Sequence, residues 1–505
     1  MIETGLAQLR FVASIVFGTR FSLRSLERLV AALRDTKHEF GKLSTEGADL
    51  LSSPALDEET RSAMQLRRFR SQAVRAARET AYYHNLFKGL ALDPARLSFE
   101  EIARLPLTPK VAVRTDPDAF VCRTAKPYLQ ATTTGTTGWP TSISFSKYEL
   151  QVYFALMAIS SLFSGDIVAE DIVQISTSAR GTLSNVCVAG ACAHIGAMVH
   201  LVGVVEPAHA LALLAQKRHL PGKKSQTSIL YTYPSYLGKL IECGLHLGYR
   251  PTDFGLERIF VGGEVVTEGL KARSQQLFGS AQVLEAGYGM TEIWPFGGRR
   301  CEANHLHFEV SQGLLEVQNL ETAAPAQAGE IGTIVATPFP PYRETTIVLR
   351  YDTGDVVRQI GEPLACSLRH IPATSQLLGK RSLSVRHERG WTFPREIAEA
   401  VEAVEAVPLP TRYGFWAVPG GVAVEVVARE DTIRLRHLLE RRLEEQGVPV
   451  RKLCLVDDQE YLQHPIPLRG DLQEQMFDVP RGENTATTET NLLTYQTKET
   501  VTQGE

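Results

Sequence analysis

The chain lacks a strong charge of either sign. Its 53 lysines and arginines nearly balance 57 aspartates and glutamates, leaving −4 with histidine neutral. Non-specific nucleic-acid binding rests on a strongly positive field, so that class is set aside and no nucleic-acid partner is expected. Long hydrophobic runs are lacking as well. The apolar stretch "FVASIVF" (Phe11 to Phe17) is far too short for a bilayer, which needs about 20 residues. No small-residue cleavage site follows it, so neither an integral membrane segment nor a signal peptide is expected. Cysteine is sparse: seven residues, scattered singly, with no CxxC pair. That excludes a disulfide scaffold and suits a reducing cytoplasm. Internal repeats are missing too.

What is present points to a globular protein of two or more domains, since 505 residues exceed what one core organises. Behind the apolar run, "FSLRSLERLVAALRD" reads as an amphipathic helix with Leu23, Leu26, Leu29 and Leu33 on one face, expected to pack on the body. Residues 60–90 read as helical, and "RLPLTPKVAVRTDP" breaks that pattern. From 150 to 290, helical segments alternate with β-branched runs ("DIVQIST", "AMVHLVGVV", "SILYTY", "LERIFVGGEVV", "AQVLEAGYG"), the pattern of an α/β domain with a largely parallel sheet. Residues 308–360 turn strand-rich and read as antiparallel. A boundary is expected near Gly379, followed by helix 394–406, strand "GVAVEVVAR", helix "TIRLRHLLERRLEEQG" and strand "VRKLCLVDD". From Arg481 the chain is polar and Thr/Glu-rich, expected to be a disordered tail. The expected division is therefore 1–60, 61–378, 379–480 and 481–505.

Chemistry concentrates in a few short stretches. "ATTTGTTGWPT" (Ala131 to Thr141) combines hydroxyls with glycines that let backbone N–H groups approach an anion, although no Walker Gly-Lys-Ser/Thr follows. "GYGMTE" (287–292) offers an aromatic face, a hydroxyl and a carboxylate, suited to base stacking, phosphate contact and Mg²⁺. "LRYDTGD" (349–355) ends in an aspartate able to accept hydrogen bonds from a ribose diol, and "GGE" (262–264) supplies a tight turn after "RIFV". Taken singly these signals are weak. Their order and spacing are specific.

With "RLPLTPK", "TTTGTTGWP", "YTYPSYL", "VGGEVVTE", "YGMTE", "GEIGTIVAT", "LRYDTGD" and "RGWTFPREIAEAV" in that order, the sequence resembles the adenylate-forming acyl-CoA synthetase superfamily, and within it the phenylacetate-CoA ligase branch, from about residue 65 to 475. The resemblance implies an α/β fold: a large multi-subdomain N-terminal domain and a small mobile α+β C-terminal lid. It implies that Thr133, Thr134, Gly135, Thr136, Thr137 and Gly138 hold the ATP triphosphate. Tyr288 would pack against adenine, Thr291 would contact the α-phosphate, Glu292 would hold Mg²⁺ and Asp355 the ribose. Gly263 and Glu264 would lie beside adenine and the acyl pocket, Tyr236 and Gly289 on the substrate side. The implied activity is ATP-dependent activation of a carboxylic acid, aryl or arylacetic by analogy, followed by transfer to CoA or a carrier-protein phosphopantetheine. A homodimer is a candidate assembly.

Departures from the family pattern open alternatives. The superfamily's C-terminal catalytic lysine aligns with Asp471 in "HPIPLRGDLQEQMF", leaving Arg469 as the nearest cation. At the hinge, "GKRSLS" (379–384) puts Lys380 where arginine is typical and Ser382 where aspartate is. Adenylation with a nitrogen or hydroxyl acceptor, or a degenerate nucleotide-binding homologue, are the competing readings. Branch members often carry zinc-suited residues after the Mg²⁺ glutamate. Here Cys301, His307, Cys366 and either His305 or His370 form the candidate set, against a reading of the cysteines as buried apolar residues.

Overall fold

The computed structural model describes residues 2–41, 43, 57–133, 140–178, 183–361 and 364–457. Two N-terminal helices, Ile2–Phe17 and Leu23–Phe40, open the chain, the second capped by Ser22 and closed by Gly41 in the left-handed conformation. Phe11, Ile15, Leu26, Leu29 and Val30 are buried in the same cluster as Phe69 and Tyr153, so the amphipathic face does pack on the body. The helical stretch around 60–90 is two helices, Glu58–Glu79 and Ala81–Leu90. Thr80 breaks them apart, since its hydroxyl caps the second by accepting from Tyr83 N–H.

At the centre lies a five-stranded sheet, parallel throughout. Its order is Met198–Leu201, Ile172–Ser176, Ile229–Thr232, Arg258–Val261 and Gln282–Glu285. Each strand falls inside one of the β-branched runs, and each is followed or preceded by a helix, as parallel connection requires. Ser146 and Glu149 form a reciprocal capping box that starts the helix Lys147–Ser164, which packs on this sheet region.

Beside it stands an antiparallel sheet of Gly313–Asn319, Ile331–Pro338, Tyr351–Arg358 and the two-residue strand Gly379–Lys380. The remaining unit has a helix Pro394–Glu402, strands Tyr413–Val418, Gly421–Val427 and Val450–Val456, and a helix Ile433–Glu445 that buries Leu435, Leu439 and Leu443. The strand Tyr413–Val418 has no counterpart in the sequence reading. Docking against the larger body is close: a Cβ on Gly269 would sit 2.5 Å from the backbone nitrogen of Ala403. Glu402, buried in that joint, accepts from the hydroxyls of Thr267 and Thr411. Burial pushes its carboxyl above the ordinary glutamate value despite those two donors. Among the described residues, no helix is long and apolar enough to cross a membrane.

Candidate nucleotide and metal sites

Backbone constraints bring two acidic residues together. Beyond the carboxyl end of strand Gln282–Glu285, Gly287 takes φ +80°, and a Cβ there would meet the Gly298 carbonyl oxygen at 2.5 Å. Glycine alone permits that crossing. Tyr288 and Gly298 then exchange backbone hydrogen bonds of 2.8 and 2.9 Å, fixing the segment that ends in Glu292. From the opposite side, the Pro-rich segment before residue 110 runs along the start of strand Tyr351–Arg358. Thr108 N–H donates to Arg350 O at 2.9 Å, and Asp352 N–H donates to Thr108 O at 3.1 Å. That seam delivers Lys110, at the start of the short helix Lys110–Thr115, to Glu292.

Glu292 is 1% exposed, and its Oε1 accepts from the Tyr351 hydroxyl at 3.0 Å and pairs with Lys110 Nζ at 3.1 Å. Burial opposes its ionisation, but Lys110, its own backbone hydrogen bond and the more distant Lys380 outweigh that, so the carboxyl stays below the ordinary glutamate value. Its Oε2 is buried and has no partner among the described residues. A buried carboxylate oxygen without a donor is costly unless something fills the position.

Asp355 forms the second node. Its Oδ2 accepts from the Tyr288 hydroxyl at 3.0 Å, and its Oδ1 pairs with Lys380 Nζ at 2.7 Å. Lys380 faces Asp355 directly in the strand register. A bulge aims the aspartate: Val335 faces Asp352 while Thr333 already faces Val356, and Gly354 takes φ +67° to absorb the excess chain. Burial, then the charge of the neighbouring acid, pushes the hydroxyls of both Tyr288 and Tyr351 far above the usual tyrosine range. Both remain donors.

The other expected site residues take varied places. Thr133 closes the base of its hairpin, donating N–H to Thr141 O at 2.9 Å and accepting Thr141 N–H on its hydroxyl at 3.0 Å. Thr134, Gly135, Thr136, Thr137 and Gly138 lie outside the described residues, as do Arg469, Asp471 and the tail. Thr291 is half-buried beside Glu292. Gly263 turns with φ +85°, and the Glu264 carboxylate then receives Ser235 N–H at 2.9 Å and its hydroxyl at 2.8 Å. It caps the helix Pro234–His246, whose own N-cap residue, Tyr233, supplies no side-chain bond. Tyr236 is 3% exposed in a hydrophobic cluster, and its hydroxyl donates to Val205 O at 2.5 Å. Gly289 lies under Trp294, where a Cβ would meet the indole at 2.9 Å. The Tyr288 ring is buried edge-on to Phe308, 6.0 Å between centroids, and its hydroxyl anchors Asp355, a task the sequence reading did not give it.

Farther along, Cys301, His305, His307 and Cys366 bring their ligand atoms within 4.8 Å of one another. His305, not His370, completes the set. Around the strand Leu306–Phe308, the period of two puts His305 and His307 on one face, and Cys301 N–H donates to His305 O at 3.1 Å across the turn. His307 uses Nδ1 on Ile371 O at 2.9 Å, leaving Nε2 3.4 Å from Cys366 Sγ. His305 Nδ1 is buried with no partner among the described residues. Tetrahedral zinc with N and S ligands has ligand–ligand edges of about 3.3–3.8 Å, so this donor set fits the ion with a small contraction.

Lys110, Tyr351 and His305 are the residues that sequence reasoning missed at these two sites. A signal for Lys110 did exist in "RLPLTPK", but a Pro-rich break reads first as a linker.

No family model matches the chain. A phenylacetate-coenzyme A ligase from Thermus thermophilus is 24% identical over 372 residues, covering 70% of this chain and 78% of that protein. Among solved structures, 2-hydroxyisobutyryl-CoA ligase in the postadenylation state, in complex with R3-HIB-AMP, superposes with a TM-score of 0.65 at 18% identity, over 84% of this chain and 93% of that one. The same ligase with 2-HIB-AMP and CoA in the thioesterification state gives 0.55 at 19% identity, over 80% and 87%. With the sequence match, the shared fold and the ordered motifs, these similarities place the chain in the adenylate-forming acyl-CoA synthetase superfamily, in its phenylacetate-CoA ligase-like branch.

Proposed function

We propose that the chain is an ATP-dependent, AMP-forming ligase that activates a carboxylic acid as its acyl-adenylate and transfers the acyl group to a thiol, with CoA the leading acceptor. The observation that carries this reading is the pair of acidic nodes, Glu292 with a spare buried oxygen and Asp355 beside Tyr288. In the adenylation step a carboxylate oxygen attacks the α-phosphorus, the bond to the bridging oxygen breaks, and pyrophosphate leaves with the electron pair. Three phosphates and an incoming carboxylate must be brought together, so fixed positive charge and orientation dominate the barrier. Glu292 Oε2 would hold Mg²⁺, which supplies charge neutralisation on the phosphates. Asp355, kept ionised between Lys380 and Tyr288, would accept the ribose hydroxyls. The loop 133–138 would cradle the polyphosphate.

The acid is proposed to be aryl or arylacetic because the curated relative is a phenylacetate-CoA ligase. The Cys301, His305, His307 and Cys366 set would hold structural zinc, tying the hairpin around 301–308 to the segment 364–373. Pyrophosphate release with a panel of acids, with and without CoA, tests the whole reading. Release that depends on an acid, and thioester only when CoA is present, supports it. Release that needs an amine or a hydroxyl compound instead would move the acceptor. ATP binding without release under any condition would make the chain a binding homologue.

A further inference from the structure

We propose that Lys110, supported by Arg114 one turn along the same helix, is a phosphate-binding cation built into the protein body, which neutralises the nucleotide's α-phosphate during adenylation. The inference deepens the ligase reading and rests on it. It starts from an imbalance. The superfamily's lid lysine aligns with Asp471 here, so the reaction lacks its usual mobile cation.

The body supplies one of its own. Lys110 Nζ sits 3.1 Å from Glu292 Oε1, with the lysine side chain 23% exposed and the glutamate 1%. An ammonium has three donors, and Glu292 is the one partner recorded for Lys110 among the described residues. The remaining donors face the partly open side of the pair. Arg114 lies on the same face of helix Lys110–Thr115, four residues on, and its charge is felt at the Tyr351 hydroxyl. Its Nε is buried with no partner among the described residues. Two cations and an unfilled carboxylate oxygen therefore meet at one point, next to the expected metal position on Glu292 Oε2. Such an arrangement balances only when an anion enters it. Lys110 stays protonated throughout: the acid's oxygen bonds to α-phosphorus, pyrophosphate departs, and no proton is exchanged.

The position is set by the seam along Tyr351–Arg358 and not by the lid. Adenylation is then expected to depend on Lys110, while thioester formation from preformed acyl-adenylate is not. The test compares wild type with Lys110→Ala and Lys110→Arg in three measurements on the full chain: MgATP binding by calorimetry, acid-dependent pyrophosphate release, and thioester formation from synthetic acyl-adenylate. The expected result for Lys110→Ala is a loss of roughly 100-fold or more in pyrophosphate release, the scale of removing one oriented donor, with thioester formation changed by less than about threefold. Lys110→Arg should recover part of the release, because it keeps the charge. Unchanged release in Lys110→Ala overturns the proposal. So does equal loss in both half-reactions without arginine rescue, which would mean that Lys110 only supports the fold around Glu292. If wild type binds MgATP but releases no pyrophosphate, the ligase reading fails and the binding arm alone decides. A loss of about tenfold in affinity in Lys110→Ala then sustains the phosphate contact, and unchanged affinity ends it. No ATP binding by wild type would end both readings.

Discussion

Replacing Glu292 by glutamine keeps its shape and one acceptor while removing the charge. Two opposing terms set the effect on folding. Charge-assisted hydrogen bonds from Tyr351 and Lys110 weaken, each worth about 1.5–3 kcal/mol in a buried setting. Against that, the desolvation cost of an ionised carboxylate, several kcal/mol per buried ion, disappears. Lys110 is 23% exposed and can turn back to water once its partner is neutral. The net change in stability is therefore expected to stay within about 2 kcal/mol. Catalysis has no such compensation. A metal ligand and a fixed charge are lost at the point where phosphate charge is redistributed, a loss of about 10²–10³ in rate, or roughly 2.7–4 kcal/mol of barrier. Pyrophosphate release under saturating acid and ATP, measured beside a melting curve, separates the two effects. A variant that melts like wild type and turns over like wild type would refute the assignment of Glu292 to the nucleotide site.

Further expectations follow from the other features. Purified protein should carry about one zinc per chain, and Cys366→Ala should lower zinc content and melting temperature together, by roughly 5 °C. Metal-free protein of normal stability would leave the four donors as ordinary core residues. Glu402 has a folded-state pKa raised by burial, so folding favours its neutral form. The stability this confers is full below the unfolded value of about 4.5 and is lost as pH rises through the folded one. Glu402→Gln should therefore melt higher than wild type at pH 8, with the difference shrinking on acidification toward pH 4.5; a gap independent of pH would count against it. Gly269→Ala places a methyl against backbone that cannot yield, and should destabilise by about 1–3 kcal/mol in urea titrations. No change would show that the joint at Ala403 is looser than drawn.

Much of the fold could be read from residues alone because its signals are local. Ile172–Ser176 and Arg258–Val261 lie in β-branched runs bounded by turns, and Ile433–Glu445 shows one leucine stripe. Tyr413–Val418 was missed for a local reason as well: Gly414 and the preceding Pro-Thr segment break the pattern, and only pairing with Gly421–Val427 makes it a strand. The functional misses are non-local. Nothing near Glu264 in sequence says that its carboxylate will cap a helix 29 residues earlier at Ser235. Lys110 meets Glu292 because Thr108 is stitched to strand Tyr351–Arg358, a contact spanning about half the chain. His305 was at least visible by strand periodicity, which ranks it above His370.

One ion pair carries a consequence beyond its own geometry. Asp355 shares a single carboxylate between Tyr288 and Lys380, and Lys380 leads directly into the C-terminal segment. A ligand that draws on that carboxylate alters how firmly Lys380 is held. By thermodynamic reciprocity, any movement that withdraws Lys380 must change the affinity for that ligand by the same factor. Occupancy of the site and position of the segment are thus two readings of one equilibrium, joined through a contact of 2.7 Å.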